Sequence, residues 1–195
     1  MDDKFKLLTS ELGESRIKRD IDVTEFLQNR LGGVALFSYI ATTEKELIKA
    51  INLCRELKIN FLIIGSGSKI TIPENGFWGL VIKNRADNLK IFGIKGKVSK
   101  SGLGVEEALI EAGSGVSLKR LNEYVKSQGL GGLEGFENSL NTLGGSFYIT
   151  PELKQKSQQL KILNSHGQIQ LKQENEISRE DIILSVVFKL KAKKI

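Results

Sequence analysis

The 195-residue sequence contains one cysteine and one histidine. A lone thiol, Cys54, has no partner for an internal disulfide, and a lone imidazole, His166, leaves no Cys/His cluster of zinc spacing. No structural metal is expected. No run of about 18 apolar residues occurs, so no membrane-spanning helix is expected either. The N-terminus, Met1-Asp2-Asp3-Lys4-Phe5-Lys6, lacks the basic stretch, apolar stretch and small-residue cleavage site of a secretory signal, which leads to the expectation of a cytoplasmic protein. The chain also lacks a helix-turn-helix pattern, an RNP-like aromatic strand and a basic stripe interleaved with aromatics, so its net charge of +6 does not indicate nucleic acid. Its lysines are scattered, the densest group being Lys189, Lys191, Lys193 and Lys194. A modest positive field of this kind favours an anionic small ligand.

What is present is ordinary for a globular chain: 40% hydrophobic and 27% charged residues, with enough length for a sizeable core. After a mixed helix or arm, Arg30-Leu31-Gly32-Gly33 forms a tight turn into a strand at Val34 to Ile40. Thr43 and Glu46 have the spacing of a capping box. Leu47, Ile48, Ala50, Ile51, Cys54 and Leu57 then recur at helical steps to about Lys58, with Cys54 as a small buried hydrophobe. Phe61 to Ile64 is a continuous apolar run, expected to be a strand covered on both faces. Strand, helix and strand make a βαβ unit, followed by a further strand at Leu80 to Ile82.

From about Lys83 the texture changes to short alternating segments at Leu89 to Ile94, Lys97 to Ser101 and Val105 to Glu111, which suggest an antiparallel meander. A helix is expected from Ser117, its cap, to about Ser127, with Gly129 at its C-terminal end. Strands follow at Leu160 to Leu163, Gln168 to Leu171 and Ile182 to Leu190, the first two joined by the Asn164-Ser165-His166-Gly167 hairpin. The expected class is α+β, with a small βαβ lobe over residues 1–83 and a larger, mostly antiparallel lobe with helices over residues 84–195.

Three glycine regions carry the chemistry. Gly65-Ser66-Gly67-Ser68, with Lys69 after it, follows the buried strand. Glycines let the backbone turn sharply so that N–H groups converge, and serine hydroxyls add donors, a nest suited to a pyrophosphate. The segment is neither a Walker A sequence nor a G-x-G-x-x-G fingerprint. Taken alone it reads more readily as a plain turn. Ala112-Gly113-Ser114-Gly115 again follows a strand and precedes a helix. Gly129 to Phe136, including Glu134, leads on to Thr142-Leu143-Gly144-Gly145, and glycine at this density suits close approach to a flat ligand or an irregular structural loop. The carboxylate pairs Glu106 with Glu107 and Glu134 with Glu137 read as solvated side chains, and His166 as a surface residue. Phe77 and Trp78 are expected to pack beneath the first lobe.

In order and spacing these segments resemble the UDP-N-acetylenolpyruvoylglucosamine reductase (UDP-N-acetylmuramate dehydrogenase) family of peptidoglycan precursor synthesis. Arg30 to Gly33 is similar to that family's R-I-G-G, and Leu62 to Ser68 to its L-G-G-G-S-N. Gly76 to Ile82 is similar to G-F-x-G-x-V-I, Glu111 to Val116 to x-A-G-A-G-V, and Gly129 to Glu134 with Gly144-Gly145 to G-L-x-G-L-E followed by G-T-V-G-G. The resemblance implies a two-lobed fold of the PCMH or vanillyl-alcohol-oxidase type with FAD between the lobes. It implies further that Gly65 to Ser68 cradles the pyrophosphate, and that Ala112 to Gly115 and Leu143 to Gly145 line the flavin.

Departures accompany the likeness. Asn138-Ser139-Leu140-Asn141-Thr142-Leu143-Gly144-Gly145-Ser146 replaces G-I-P-G-T-V-G-G-A, and Phe147 to Thr150 replaces a second turn. The family's Y-R-x-S element is matched only by Arg179 in Glu174 to Arg179. The third domain, which in the family brings the substrate pocket and a proton donor, is expected to be absent after Ile195, and no catalytic residue is assigned. Hydride delivery to an enolpyruvyl double bond needs that donor. Three readings follow: a flavoprotein that is degenerate or dependent on a protein partner, an NADPH-dependent dehydrogenase, or an interaction protein that has lost FAD.

Overall fold

The computed structural model describes residues 3–99 and 102–193, and divides the chain into two compact units, Met1–Ala86 and Asp87–Ile195. The first unit begins with α1 (Asp3–Leu12), β1 (Ile17–Asp22) and β2 (Val34–Ala41), continues with α2 (Glu44–Glu56), and ends with β3 (Phe61–Ile64) and β4 (Phe77–Asn84). The sheet order is β1-β2-β4-β3. β4 pairs in parallel with both β2 and β3, while β1 runs antiparallel to β2. The three parallel strands therefore end on one side, at Ala41, Ile64 and Asn84, where open α/β sheets place their ligands.

α2 forms where the periodicity predicts, and Thr43 caps it through a bond from the Glu46 N–H to the Thr43 hydroxyl at 3.2 Å. Its apolar stripe, Leu47, Ala50, Ile51 and Cys54, is fully buried, each larger side chain contributing about 1.5–3 kcal/mol. Desolvation pushes the Cys54 thiol up to about 12, so it is an inert core group. A second cluster joins Val23, Leu27, Ala35, Ile64, Ile72 and Val81. It lies where the 3₁₀ turn Val23–Phe26 and the segment after β3 pack onto the sheet.

Glu46 does not close the expected capping box onto Thr43. Its carboxylate accepts from the Thr42 N–H and hydroxyl at 2.8 and 2.9 Å and takes both guanidinium nitrogens of Arg16, at 2.8 and 2.9 Å. Arg16 above all holds the Glu46 carboxyl down at about 2. A depressed carboxylate adds stability above its unfolded pKa and loses it as pH falls through the folded one. Glu46→Gln is thus expected to lower stability by about 1 kcal/mol at pH 7, after solvent screening of the half-exposed Arg16. In urea titrations that gap should shrink between pH 4.5 and 2; a gap constant with pH would contradict the ion-pair account.

The second unit contains β5 (Leu89–Ser99), β6 (Gly102–Gly113), α3 (Leu118–Ser127), β7 (Leu130–Gly131), α4 (Leu143–Phe147), α5 (Pro151–Lys156), β8 (Ser157–Leu163), β9 (Ile169–Lys172) and β10 (Ile182–Ala192). Its sheet runs β5-β6-β10-β8-β9, with β7 added to β10. Ala108, Ile110, Ala112, Leu160, Ile162, Val186, Phe188 and Leu190 pack against Leu118, Leu121, Val125, Leu143, Phe147 and Leu153 of the helices. On β6 the intervening Glu111 is buried but paired. It accepts from the Ser185 hydroxyl at 2.9 Å and meets Lys90 at 2.8 Å and Lys161 at 3.6 Å, so the charge is compensated.

Several sequence expectations are corrected. Phe61–Ile64 is an edge strand with only Ile64 fully buried, because β4 inserts between it and β2. The three short segments after residue 88 are one hairpin of two long strands, interrupted by register shifts at Ile91/Gly93 and Lys95/Gly96 rather than by turns; Ser101, the end of one segment, lies outside the described residues. Phe77 packs on the second cluster of the first unit, but Trp78 is 76% exposed. β4 enters with a register irregularity in which Trp78 and Gly79 stand opposite one residue of β2.

Candidate flavin site

The turn Gly65 to Lys69 leaves β3 at the carboxyl side of the parallel strands. Gly67 has φ +77°, and a Cβ there would fall 2.0 Å from the Phe26 carbonyl oxygen and 2.8 Å from the Leu27 Cα. Its own carbonyl accepts from the Gln28 N–H at 3.1 Å. Because the peptides are trans, a carbonyl directed at Gln28 sends the Ser68 N–H the opposite way. The Ser66 and Ser68 hydroxyls stand 3.0 Å apart, and Ser68 and Lys69 are exposed. The turn thus presents an amide, two hydroxyls and an ammonium, and contains no carboxylate.

One residue that the sequence reading passed over stands beside this turn. Lys83 is flanked on the sheet by Ile40 and Ile64, and its ammonium donates to the Phe26 carbonyl at 3.2 Å. The available signal was a lysine directly after the apolar run Leu80 to Ile82.

In the second unit the structure brings the other two turns together. Gly144 N–H donates to the Ser114 carbonyl and Leu143 N–H to the Val116 carbonyl, both at 2.8 Å, and Ser117 bridges Thr142. A Cβ on Gly144 would lie 2.9 Å from the Ser114 Cβ, so the glycine is what lets the turns touch. Gly113 and Ser114 in turn donate to the Asn88 and Leu184 carbonyls, at 2.8 and 2.9 Å. Four amides that the sequence offered to a ligand are therefore spent on assembling this wall. Exposed in this part of the chain are Gly145 and, on either side of it in sequence, Leu140 and Ile149, 62% and 61% exposed. The buried Ser146 hydroxyl has no hydrogen-bond partner among the described residues, a donor whose desolvation costs about 1–3 kcal/mol unless a bound group or water meets it.

Glu134 is not drawn into the wall by any bond that Ala112 to Gly115 or Thr142 to Gly145 makes. Its carboxylate accepts from the Gly132 N–H at 2.9 Å and lies 3.8 Å from Lys193; its own backbone N–H above all, then the Gly132 amide and Lys193, hold it below the usual carboxylate range. Arg179 is exposed on a loop that Tyr148 anchors through bonds from its hydroxyl to the Ser178 and Asp181 carbonyls, at 3.0 and 2.7 Å.

A phosphate-compatible turn after a parallel strand and a glycine wall on an antiparallel sheet define a dinucleotide flavoprotein scaffold. The profile of the FAD binding domain matches residues 36–148, more than half of the chain, and the chain belongs to that family. Its cofactor is FAD, and the carboxylate-free Gly65 to Lys69 turn fits the diphosphate of such a group.

The particular likeness is to UDP-N-acetylenolpyruvoylglucosamine reductases. The enzyme of that name from Clostridioides difficile is 29% identical over 167 residues, covering 83% of this chain and 51% of the relative. Among solved structures, the Thermus caldophilus UDP-N-acetylenolpyruvylglucosamine reductase (MurB) superposes with a TM-score of 0.67 at 19% identity, covering 92% of this chain and 64% of that one. The VAO-type flavoprotein MtVAO615 of Myceliophthora thermophila superposes with a TM-score of 0.60 at 11% identity, over 98% of this chain and 47% of its own. The fold is thus of the vanillyl-alcohol-oxidase type, as the sequence resemblance implied. The chain spans about half the length of the curated relatives it matches. No helix among the described residues is long and apolar enough to cross a membrane.

Proposed function

We propose that the chain is an FAD-holding module of the UDP-N-acetylmuramate dehydrogenase type, acting in the cytoplasm and dependent for catalysis on groups from a partner. In this reading the Gly65 to Lys69 turn takes the pyrophosphate, and the wall formed by Ala112 to Gly115 and Thr142 to Gly145 lines the flavin. Bound flavin supplies hydride exchange; the chain's own residues bind and orient it. The observation that carries the reading is the lock between Ser114 and Gly144, which builds a wall from two turns 30 positions apart. Support for partner dependence comes from the side chains on hand: Cys54 is a buried, inert thiol and Arg179 stands exposed on its loop. Neither supplies a positioned acid for an enolpyruvyl carbon.

The test uses the purified full chain. It should be yellow, with flavin fluorescence released on denaturation, and a colourless chain that takes up no added FAD would defeat the reading. With NADPH under anaerobic conditions the flavin should bleach, and UDP-N-acetylglucosamine enolpyruvate should not reoxidise it. Substrate-dependent reoxidation would establish the chain as a complete dehydrogenase instead.

A further inference from the structure

The Lys83 ammonium has one observed partner, the Phe26 carbonyl oxygen at 3.2 Å, and stands 5.6 Å from the centre of the Phe26 ring. That same oxygen is the atom a Gly67 side chain would strike, so a single carbonyl separates the ammonium from the glycine turn. Lys83 is partly buried and forms no ion pair with a carboxylate among the described residues. Burial first, and the nearby Arg85 second, lower its pKa below the ordinary lysine value. Two cations near one another, one of them partly desolvated, are unfavourable without an anion. A lysine ammonium has three donors, and the Phe26 carbonyl takes one. β4 brings Lys83 level with Ile64, the last residue before Gly65.

We infer that Lys83 is a phosphate-binding residue of this chain, its ammonium serving the diphosphate of the cofactor at the Gly65 to Lys69 turn. The inference rests on the proposed placement of the pyrophosphate there and adds to it a charge from the neighbouring strand. The alternative is structural: Lys83 merely caps the Phe26 carbonyl.

Fluorescence titration of FAD into the full-length apo chain separates the two. Lys83→Met keeps the aliphatic packing and removes the charge, and should weaken FAD binding roughly tenfold or more at low salt. The deficit should narrow as salt is raised. Lys83→Arg should retain most of the affinity, and the apo melting temperatures should agree within a few degrees. FAD affinity unchanged in Lys83→Met overturns the inference while leaving the pyrophosphate placement standing. A loss that Lys83→Arg fails to rescue, accompanied by a fall in apo melting temperature, overturns it in favour of the cap. A wild-type chain without FAD uptake overturns both the placement and the inference.

Discussion

Gly67→Val will lose both flavin and fold stability. At φ +77° an L-residue pays roughly 1–2 kcal/mol in backbone strain. The added Cβ would meet the Phe26 oxygen at 2.0 Å and the Leu27 Cα at 2.8 Å, and relieving those contacts shifts the Val23–Phe26 turn and the Leu27 backbone, at an overpacking cost of about 1–3 kcal/mol. The sequence alone predicts a narrower outcome, a folded protein whose phosphate nest is blocked. The structure changes that expectation because Gly67 faces backbone from its own unit. Gly67→Ala should show most of the effect, since the offending atom is the Cβ that both substitutions share. Urea unfolding of the apo protein decides: a midpoint equal to wild type, with FAD lost, would restore the nest-only account.

Gly144→Val is expected to remove the flavin as well, while sparing more of the stability. The new Cβ would sit 2.9 Å from the Ser114 Cβ and 3.2 Å from the Ser114 oxygen, and the bond from Gly144 to that oxygen would have to lengthen. Separating the two turns costs about 1–3 kcal/mol but destroys the surface they build jointly. Gly144→Ala combined with Ser114→Gly removes the colliding carbon from the other side. If contact is the cause, the double variant should recover flavin content relative to Gly144→Ala, with a coupling of about 1 kcal/mol in stability. Independent, additive losses would mean that the turns act separately.

The parts of the fold that were legible are those written in local code. Thr43 before a helical stripe, Ser117 before another and Gly129 after it each act within one turn of chain, so α2 and α3 appear where caps and periodicity put them. β1 escaped notice because Ile-Lys-Arg-Asp-Ile-Asp offers only two apolar residues, and its pairing with β2 through Ile17 and Tyr39 is what makes it a strand. α4 escaped because Leu-Gly-Gly-Ser-Phe is a poor helix by propensity. It exists through the bonds of Leu143 and Gly144 to Val116 and Ser114, partners remote in sequence.

The same division runs through the site. The order of the glycine segments along the chain was enough to bring out the resemblance to the reductase family and the FAD it implies, because a backbone that bends sharply after a strand requires glycine whatever surrounds it, but it left a reading without FAD standing. Which amides remain for a ligand was decided by tertiary structure alone. Gly113, Ser114, Leu143 and Gly144 donate inward, to carbonyls of Asn88, Leu184, Val116 and Ser114. The place of Lys83 beside Phe26 and Ile64 is likewise fixed only when β4 inserts between β2 and β3. A hydrogen bond or a charge contact between residues distant in sequence depends on where the strands pair, and that pairing is a property of the assembled sheet.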